Sequence, residues 1–469
     1  MKKIPVISGQ DLRDIGYPTG PLISLAIKIA EEHLPGQSKE SVIRILQEVI
    51  QNPHSFLSDE IFRPVADMLI PKPAVCGEDF SLREKPVPVK VFGEKLIDEK
   101  ALQQMQVAAR LPISVAGALM PDAHAGYGLP IGGVLAVRNA VIPYGVGVDI
   151  GCRMLLSVFD LPVHQLKGNE REFLQMLKEL TVFGAARQYS SKEFHPVLKS
   201  NTFEEIPFLK ALQGTAEKQL GTSGGGNHFV EFGIAEINQD IIDAEGNELK
   251  PGKYVGLLSH SGSRGLGASI ASYYTRLAME KCKLPAEARQ LAWFDLDEPI
   301  GKEYWKAMNL AGEYASACHE LIHKRIAAAL KRDPILKIEN YHNFAWKEHY
   351  KNKEVVVHRK GAIPAAENML GIIPGSMSAP GYIVRGKGNE ASLKSASHGA
   401  GRIMSRTQAL NTLQKAQTDI LLQEAGVLLI GGGLDDSPMA YKPISQVMEL
   451  QKDLVEIIGL FHPRIVRME

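Results

Sequence analysis

Cysteine is scarce in this 469-residue chain. Its four cysteines, Cys76, Cys152, Cys282 and Cys318, form no CxxC pair, which argues against a redox or zinc motif of that type. A chain of this length can bury a large apolar core without disulfide cross-links. Its first residues, MKKIPVISGQ, contain an apolar stretch too short for a secretory signal. We therefore expect reduced thiols and a cytoplasmic protein.

Long apolar runs and an excess of one charge are also missing. No apolar run approaches the roughly 20 residues that a membrane-spanning helix needs, so we expect no membrane association. Lysine and arginine number 53, and aspartate and glutamate also number 53, so the formal net charge is zero. A polyanionic partner must then be held by a local basic patch and not by the field of the whole protein.

One window of the chain is locally basic. Between residues 384 and 406 five basic residues accompany a single acid, Glu390. An isolated run of charge is more often a solvated face than a binding site. The five basic residues are Arg385, Lys387, Lys394, Arg402 and Arg406.

The chain divides by composition into a helical start, a connection and a long mixed body. Residues 1–75 carry two apolar stripes at helical spacing, and Ser38 is placed to cap the second. Residues 76–90 are rich in proline and mixed charges, which predicts a linker. Residues 91–469 alternate short β-like runs with glycine turns and helices, which predicts an α+β fold. The two stripes are Leu22, Leu25 and Ile29, then Val42, Leu46, Val49 and Ile50.

Several elements of the body can be predicted individually. The runs VGLLSHSG, HFVEFGI, EVVVHRK and GYIVRG are typical of strands. The segment from Gly301 to Arg332 predicts one long helix. A last amphipathic helix is predicted from the stripe Val447, Leu450, Leu454, Ile457 and Phe461.

Glycine is plentiful, with 43 residues, and several glycines stand directly beside histidine, aspartate or cysteine. Glycine next to a chemically active side chain lets the backbone approach a ligand closely. A single cluster of this kind is usually a turn, but five in one chain predict an extended active site. The clusters are PDAHAGYGLPIGG, GVGVDIGC, GTSGGGNHF, SHSGSRGLG and SASHGAGR.

These clusters contain candidate metal ligands. Asp149 and Cys152 are three residues apart in a tight turn, and imidazoles are available at His228, His260 and His342. Such a mixed set suits a divalent transition metal, with the carboxylate favouring manganese and the thiolate favouring zinc. Each histidine alone is equally well explained as a core or turn residue, so their grouping stays open at this point.

The candidate nucleophile is His398 in SASHGAGR, because its small neighbours leave the ring accessible. Histidine can form covalent intermediates, and arginines such as Arg402 and Arg406 clamp phosphates well. A histidine at a helix start, followed by an arginine on the next turn, explains the local pattern equally well.

The motifs together resemble those of a known family. MPDAHAGYGLPIGG, GVGVDIGC, GNHFVE, HSGSRGLG, HNFAW, HRKGA, IIPGSM and SASHGAGRIMSR occur in the order seen in the RtcB RNA ligases, from about Pro121 to nearly the end of the chain. The resemblance implies an RtcB-like body of mixed sheet and helix. It also implies ligation in RNA repair or tRNA splicing: GTP charges a histidine with GMP, GMP passes to an RNA 3′-phosphate, and a 5′-hydroxyl attacks. A 2′,3′-cyclic phosphate is opened beforehand.

The resemblance also implies a role for each matching residue. His398 is the nucleophile and Asp122 orients it; Asp149, Cys152, His228, His260 and His342 hold two manganese ions, with Cys152 as the bridge. Asn227, Glu231, Ser376, Arg402 and Tyr441 contact the nucleotide, and Arg264 and Arg406 contact RNA phosphates. The implied partners are RNA ends and GTP, and the identity of any activating protein is left open.

The chain departs from the family at the expected guanine site. Gly381 stands where the resemblance implies a serine, and Met468 stands where it implies a lysine. Methionine offers no hydrogen-bond donor to a base, so we expect weaker preference for guanine. The neighbouring Arg467 carries donors, and its direction decides whether it replaces the lysine.

Two other functions stay open beside the ligase. A metal-dependent phosphodiesterase would need the metal ligands but not His398, and a non-ligating RNA-end-binding protein would need neither chemistry. The N-terminal segment ISGQDLRDIGYPTGPLISLAIKIAEEHL resembles a helical segment of tRNA nucleotidyltransferases. We therefore expect a small all-helical extension that binds RNA or a partner, or that serves a structural role.

Overall fold

The computed structural model describes residues 7–57, 59, 61–70, 77–184, 187–189, 193–242, 246 and 248–469. Cys76, the first residue of the expected linker, lies outside these ranges. The helices are, in chain order, α1 (Gly9–Asp14), α2 (Pro21–His33), α3 (Lys39–Gln51), α4 (Arg63–Leu69), α5 (Glu99–Ala109), α6 (Pro143–Val146), α7 (Val163–Gly168), α8 (Glu170–Leu180), α9 (Thr202–Glu205), α10 (Pro207–Gln219), α11 (Arg264–Lys281), α12 (Pro299–Leu330), α13 (Arg406–Thr412), α14 (Lys415–Ala425) and α15 (Ile444–Glu449).

The strands in the described ranges outnumber these helices and are mostly short. They are, in chain order, β1 (Glu78–Asp79), β2 (Val89–Val91), β3 (Ser114–His124), β4 (Ile131–Val137), β5 (Ala140–Val141), β6 (Arg153–Phe159), β7 (Phe229–Ile237), β8 (Ile241–Ile242), β9 (Glu248–Leu249), β10 (Gly252–Ser261), β11 (Cys282–Lys283), β12 (Phe294–Asp295), β13 (Leu336–Tyr341), β14 (Asn343–Tyr350), β15 (Lys353–Lys360), β16 (Ala362–Pro364), β17 (Leu370–Ile373), β18 (Gly381–Gly386), β19 (Ser395–Ser397), β20 (Leu428–Ile430) and β21 (Val455–Arg467). The four strand runs predicted from the sequence are confirmed as β10, β7, β15 and β18.

Two large sheets organise the body. The first follows the order β13-β6-β10-β7-β21-β18-β17, with β20 added beside β21, and the second follows the order β14-β15-β4-β3-β2. Within them β2 pairs with β3 and β20 pairs with β21 in parallel, whereas the other neighbours are antiparallel. Mixed sheets with separate helices confirm the predicted α+β fold.

The long helix predicted from Gly301 to Arg332 is confirmed as α12. It packs against β6 and β10 of the first sheet. Its buried face includes Tyr304, Tyr314 and Ile322, which are fully inaccessible to solvent. Burial of large side chains at helical spacing explains why the sequence signal was strong.

The predicted C-terminal helix is wrong beyond Glu449. Helix α15 ends there, and the chain then forms β21, which pairs with β7 on one side and with β18 on the other. Ile457 and Phe461 therefore lie on a strand. This segment contains several β-branched and aromatic residues, which fit a pleated surface well. Pairing along both edges satisfies the backbone groups and overrides the apparent helical spacing.

The N-terminal extension contains the predicted helices. The Ser38 hydroxyl accepts a hydrogen bond from the Ser41 amide at 3.2 Å, which confirms the expected cap of α3. Helices α1 to α4 enclose an apolar cluster of their own, but Leu57, Ala66 and Ile70 pack into the main core of the body. Arg276 of α11 also pairs with Asp67 of α4. The extension is therefore docked on the body by both apolar and ionic contacts.

The two large sheets are joined where β13 runs into β14. A single residue, His342, separates the two strands, and its amide donates to the carbonyl oxygen of Cys152 at 3.0 Å. Among the helices in the described ranges, none combines the length and the apolarity needed to span a bilayer.

Candidate active site

Four strand ends of the first sheet carry the candidate metal ligands. Cys152 directly precedes β6, His228 directly precedes β7, and His260 lies near the end of β10. In the sheet register His260 is opposite Phe229 of β7 and opposite Met154 of β6. On its other side β6 pairs with β13, and Tyr341 of β13 is opposite Arg153 of β6. His342, the next residue, therefore lies at the same end of the sheet as Cys152 and His260. Strand register therefore gathers residues that are far apart in the sequence.

The ligand atoms converge closely. The Cys152 Sγ lies 3.2 Å from His260 Nε2 and 3.4 Å from His228 Nε2. The Nε2 atoms of His260 and His342 are 3.3 Å apart, and His228 Nε2 lies 3.1 Å from Asp149 Oδ2. Two groups, each with ligand atoms within 4.8 Å of one another, share Cys152. The structure thus brings together all five residues that the sequence suggested as ligands.

Electrostatics at the cluster suits a bound cation. Burial lowers the pKa of His260 and of His342 well below the usual value, so both imidazoles are neutral. Burial alone would raise the pKa of Asp149, but the hydrogen bond from His228 and the charge of Arg264 hold it below the usual range. Burial and the Asp149 charge raise the pKa of the Cys152 thiol. The thiol therefore keeps its proton until a cation displaces it.

Hydrogen bonds behind the ligands set the imidazole tautomers. The His260 Nδ1 donates to the Asn227 carbonyl oxygen at 3.1 Å, which leaves the Nε2 lone pair directed at the cluster. The reverse holds at His228, whose Nδ1 accepts from the Arg264 guanidinium at 2.8 Å. Coordination through His228 Nε2 therefore requires its proton to move to Nδ1 and Arg264 to turn away. Arg264 is buried in this cluster and does not stand on an open surface.

His398 lies beside the cluster and not at a helix start. It follows β19 and precedes α13 by several residues. Its Nδ1 donates to Asp122 Oδ2 at 2.7 Å, and the same oxygen accepts from the His398 amide at 3.1 Å. Its ring centroid is 5.0 Å from that of His342. Nε2 is therefore the atom available for attack, as the predicted pairing with Asp122 requires.

Asp122 remains ionised although it is fully buried. Burial raises its pKa, but the hydrogen bond from His398 and the nearby charges of His398 and Lys442 bring it below the usual value. Lys442 donates to the carbonyl oxygens of Pro121 and Ala123, on either side of this carboxylate. Lys442 is not among the site residues predicted from the sequence. Its position next to Tyr441 was the available signal.

Gly361 lets His398 approach the cluster. Its φ of +62° lies in the left-handed region, and a Cβ there would stand 2.3 Å from Ile131 and 3.3 Å from the His398 ring. The Gly361 amide donates to the His342 carbonyl oxygen at 2.7 Å. The chain then enters β16, which pairs with β19 just before His398. Any larger residue at this turn would push the ring away.

A cavity of about 260 Å³ opens at His398. All five residues expected to contact the nucleotide line its wall, and so do Arg406, Gly381 and Met468. Burial raises the pKa of Glu231 in this wall to about 8. Arg467 is absent from the lining, and its guanidinium donates to the Leu177 carbonyl oxygen and lies over the Phe183 ring. The direction of Arg467, which the sequence left open, is therefore away from the cavity, and Arg467 does not replace the expected lysine.

The basic window between residues 384 and 406 does not form one patch. Arg385 pairs with Glu456, and Lys394 pairs with Glu390, whereas Arg402 and Arg406 line the cavity. Arg385 lies on β18 and Lys394 lies in the turn before β19, and both form ion pairs away from the cavity lining. Sequence proximity therefore did not indicate a shared surface.

The two cavity arginines are held by acids that the sequence analysis missed. Arg402 lies 3.2 Å from Asp436, and Arg406 pairs with both Asp435 and Asp436. The Tyr441 hydroxyl also donates to Asp436 at 2.8 Å. The adjacent aspartates after three glycines were the signal in the sequence. Both arginines are thus oriented before any phosphate enters.

Comparison with known proteins agrees with the geometry. A sequence model of the family described as "tRNA-splicing ligase RtcB" matches residues 104–469. The chain is 33% identical over 407 residues to the RNA-splicing ligase RtcB of Escherichia coli (strain K12), which covers 80% of this chain and 96% of that protein. It is 31% identical over 441 residues to the tRNA-splicing ligase RtcB of Methanococcus maripaludis, with 78% and 91% covered. It is 30% identical over 449 residues to that of Nanoarchaeum equitans, with 80% and 94% covered. Because the match spans most of each chain, this protein belongs to the RtcB family.

Proposed function

We propose that this protein is a cytoplasmic RNA ligase of RNA repair or tRNA splicing. It joins an RNA 3′-phosphate or 2′,3′-cyclic phosphate end to a 5′-hydroxyl end, with GTP as the nucleotide donor and manganese as the metal. The observation that carries the proposal is His398, whose free Nε2 stands between the metal-ligand cluster and a cavity lined by arginines. Neither a metal-dependent phosphodiesterase nor a simple RNA-binding protein requires a nucleophilic histidine at this position.

His398 is the proposed nucleophile. Its Nε2 lone pair attacks the α-phosphorus of GTP, a P–N bond forms, and pyrophosphate leaves with the electron pair of the broken P–O bond. The Asp122 carboxylate, at 2.7 Å from Nδ1, balances the positive charge that the ring gains. GMP then passes to the RNA 3′-phosphate, and a 5′-hydroxyl displaces GMP to seal the strand.

The five clustered residues would hold two divalent ions, because they form two groups of converging donor atoms with Cys152 common to both. The fit rests on the converging donor atoms and on the tautomer of His260. When bound, such ions supply positive charge that offsets the charge on phosphate oxygens. With His228 as a metal ligand, its Nδ1 would carry the proton and could no longer accept from Arg264. The Arg264 guanidinium would then be available to an RNA phosphate.

The other residues that line the cavity are proposed to bind different parts of the nucleotide and the RNA. Asn227, Ser376 and Arg402 are proposed to hold the nucleotide phosphates and sugar, and Tyr441 to pack against the base. Arg406, at the side of Arg402, is proposed to hold an RNA phosphate. A terminal RNA 3′-phosphate would replace the Asp435 carboxylate on Arg406, because this monoester is close to a dianion at neutral pH and offers more acceptor oxygens and more charge than a carboxylate.

Self-nucleotidylation separates the three candidate activities. The purified protein is incubated with α-labelled GTP and manganese, and label that is bound to protein and labile to acid is measured. We expect a covalent label and, with RNA ends added, a sealed product. Cleavage of a cyclic phosphate without label would favour the phosphodiesterase, and RNA binding without either would favour the non-ligating protein.

Nucleobase choice is expected to depend on pH, because Glu231 has a pKa of about 8. A neutral carboxylic acid accepts and donates one hydrogen bond, which matches the N1 and N6 edge of adenine. The two donors of guanine require the ionised carboxylate, and Met468 adds no donor. We therefore expect ATP to replace GTP in part.

The measurement is kcat/KM for self-nucleotidylation with each nucleotide across the pH range. The GTP-to-ATP ratio should rise as the pH approaches and passes about 8, where Glu231 ionises. The Glu231→Gln variant should lose this pH dependence. Strict use of GTP at every pH would mean that other groups compensate for Met468 and Gly381.

The N-terminal extension is proposed to assist RNA or partner binding. Deletion of residues 1–75 is expected to leave self-nucleotidylation intact but to weaken RNA binding or change RNA choice. Residues 7–70 contain nine acidic and five basic residues, so any RNA contact must use local basic residues. Lys28→Glu with Arg44→Glu tests this without disturbing buried side chains, and each lost phosphate contact lowers the salt slope by about 1. Unchanged affinity and RNA choice in both variants would exclude an RNA-handling role.

A further inference from the structure

Asp122 orients two histidines. Its side-chain Oδ2 accepts from Nδ1 of His398 at 2.7 Å, and its main-chain carbonyl oxygen is 3.2 Å from Nδ1 of His124. Since a carbonyl oxygen can only accept, His124 also carries its proton on Nδ1. Both rings therefore share one tautomer, with an unprotonated Nε2.

The backbone of β3 is irregular where it presents His124. The pairing of β3 with β4 shifts register between Leu119 and His124, and such irregularities re-aim side chains near active sites. The His124 ring lines the same cavity as His398. No other described residue forms a hydrogen bond with its Nε2, so this lone pair is available to a ligand in the cavity.

Of the histidines that line the cavity, His124 is the one without a role in the reaction as proposed so far. In the described part of the chain four imidazoles line the cavity: His124, His260, His342 and His398. Two of them belong to the metal-ligand cluster, and His398 is the nucleophile. The remaining imidazole is neutral, because burial lowers the pKa of His124 to about 4. A phosphate anion in the cavity raises that pKa and makes the ring a better base.

The sealing step needs a base that the other residues do not supply. The attacking 5′-hydroxyl must approach the phosphorus opposite the leaving GMP, and GMP has just departed from His398. A base on the side of the leaving group cannot reach the attacking hydroxyl. Of the two described acids that line the cavity, Asp436 is already engaged by Arg402 and Tyr441. The other acid, Glu231, is assigned to the nucleobase, and burial raises its pKa to about 8, so it keeps its proton at neutral pH.

We propose that His124 is the general base of the sealing step, an assignment that rests on the proposed ligase function. The 5′-hydroxyl oxygen forms a bond to the RNA 3′-phosphorus, and its proton passes to His124 Nε2. The P–O bond to GMP breaks, and GMP leaves with that electron pair as a phosphate monoester. The new linkage is a phosphodiester, and His124 later returns the proton to water.

The test separates charging from sealing. RNA whose 3′-phosphate already carries GMP is mixed with a 5′-hydroxyl RNA under single-turnover conditions, and self-nucleotidylation is measured separately. We expect His124→Ala to seal about 10²–10⁴-fold more slowly, the usual contribution of a general base, while it forms the His398 adduct at near the parental rate. Added imidazole should restore part of the sealing rate of this variant and leave the parental protein unaffected.

Two further variants complete the test. His124→Gln keeps a hydrogen-bond acceptor but cannot take up a proton, so it should seal as slowly as His124→Ala and show no rescue. His164→Ala, at an exposed site on α7, should behave as the parental protein. Equal losses of charging and sealing in His124→Ala would show that the residue only supports His398 through Asp122. Undiminished sealing would also overturn the assignment. A parental protein that neither charges nor seals would overturn the proposed function itself.

Discussion

Replacement of His398 by alanine is expected to abolish the covalent nucleotide adduct. The change removes the only atom proposed to form the P–N bond, so self-nucleotidylation should fall by several orders of magnitude. The metal content should stay at the parental level, because His398 forms a hydrogen bond with Asp122 and is not one of the clustered candidate ligands. The measurements are protein-bound label from α-labelled GTP and manganese bound per chain.

Two companion variants sharpen this experiment. Asp122→Asn keeps the shape of the carboxylate but presents either an amide donor or a neutral acceptor to His398 Nδ1, so charging should fall while the nucleophile remains. His164→Ala removes an exposed imidazole that is not part of the cavity lining and should have no effect. Adduct formation by His398→Ala at the parental level would contradict the proposed nucleophile. Loss of bound metal in that variant would instead point to a role as ligand.

Replacement of Cys152 by alanine is expected to have the largest effect on metal binding. Its sulfur is the one atom shared by both groups of converging ligands, so its removal would weaken the binding of both proposed ions at once. A single histidine change, such as His342→Ala, removes one ligand from one group. Bound manganese, measured by elemental analysis after dialysis, should therefore fall more in Cys152→Ala than in His342→Ala.

Cys282→Ala is the matched control for this prediction. Cys282 is also a buried free thiol, but it lies on β11, away from the cluster. Its replacement should leave bound manganese unchanged. Similar thermal unfolding of the metal-free variants would show that the comparison reports on coordination and not on folding. Parental metal occupancy in Cys152→Ala would contradict the bridging role.

Local sequence was sufficient for the elements whose signal is local. The α3 cap at Ser38 depends on a hydroxyl and an amide three residues apart. The long helix α12 follows from apolar residues at helical spacing. The turn from Asp149 to Cys152, closed by a 3.2 Å hydrogen bond between their backbones, was also visible in the sequence.

The chemical parts of the site could be named from the sequence, but their assembly could not be derived from spacing. His260 lies on β10, His228 directly precedes β7 and His342 directly follows β13. The register of these strands gathers their ring nitrogens around Cys152. Register is a long-range property, because a shift by one residue turns every side chain to the other face. The resemblance to the family implied that the five candidate ligands act together, and the tertiary structure gave the distances between them.

Tertiary structure alone decided three further features. The segment after Glu449 became the strand β21 because two neighbouring strands satisfy its backbone groups, which periodicity cannot anticipate. The basic residues between 384 and 406 do not share one surface, because Arg385 forms an ion pair with Glu456 and Lys394 forms one with Glu390. The pairing of Arg402 with Asp436 joins residues more than thirty positions apart. Sequence therefore determined which side chains and which local turns this protein has, and long-range packing determined which of those side chains meet.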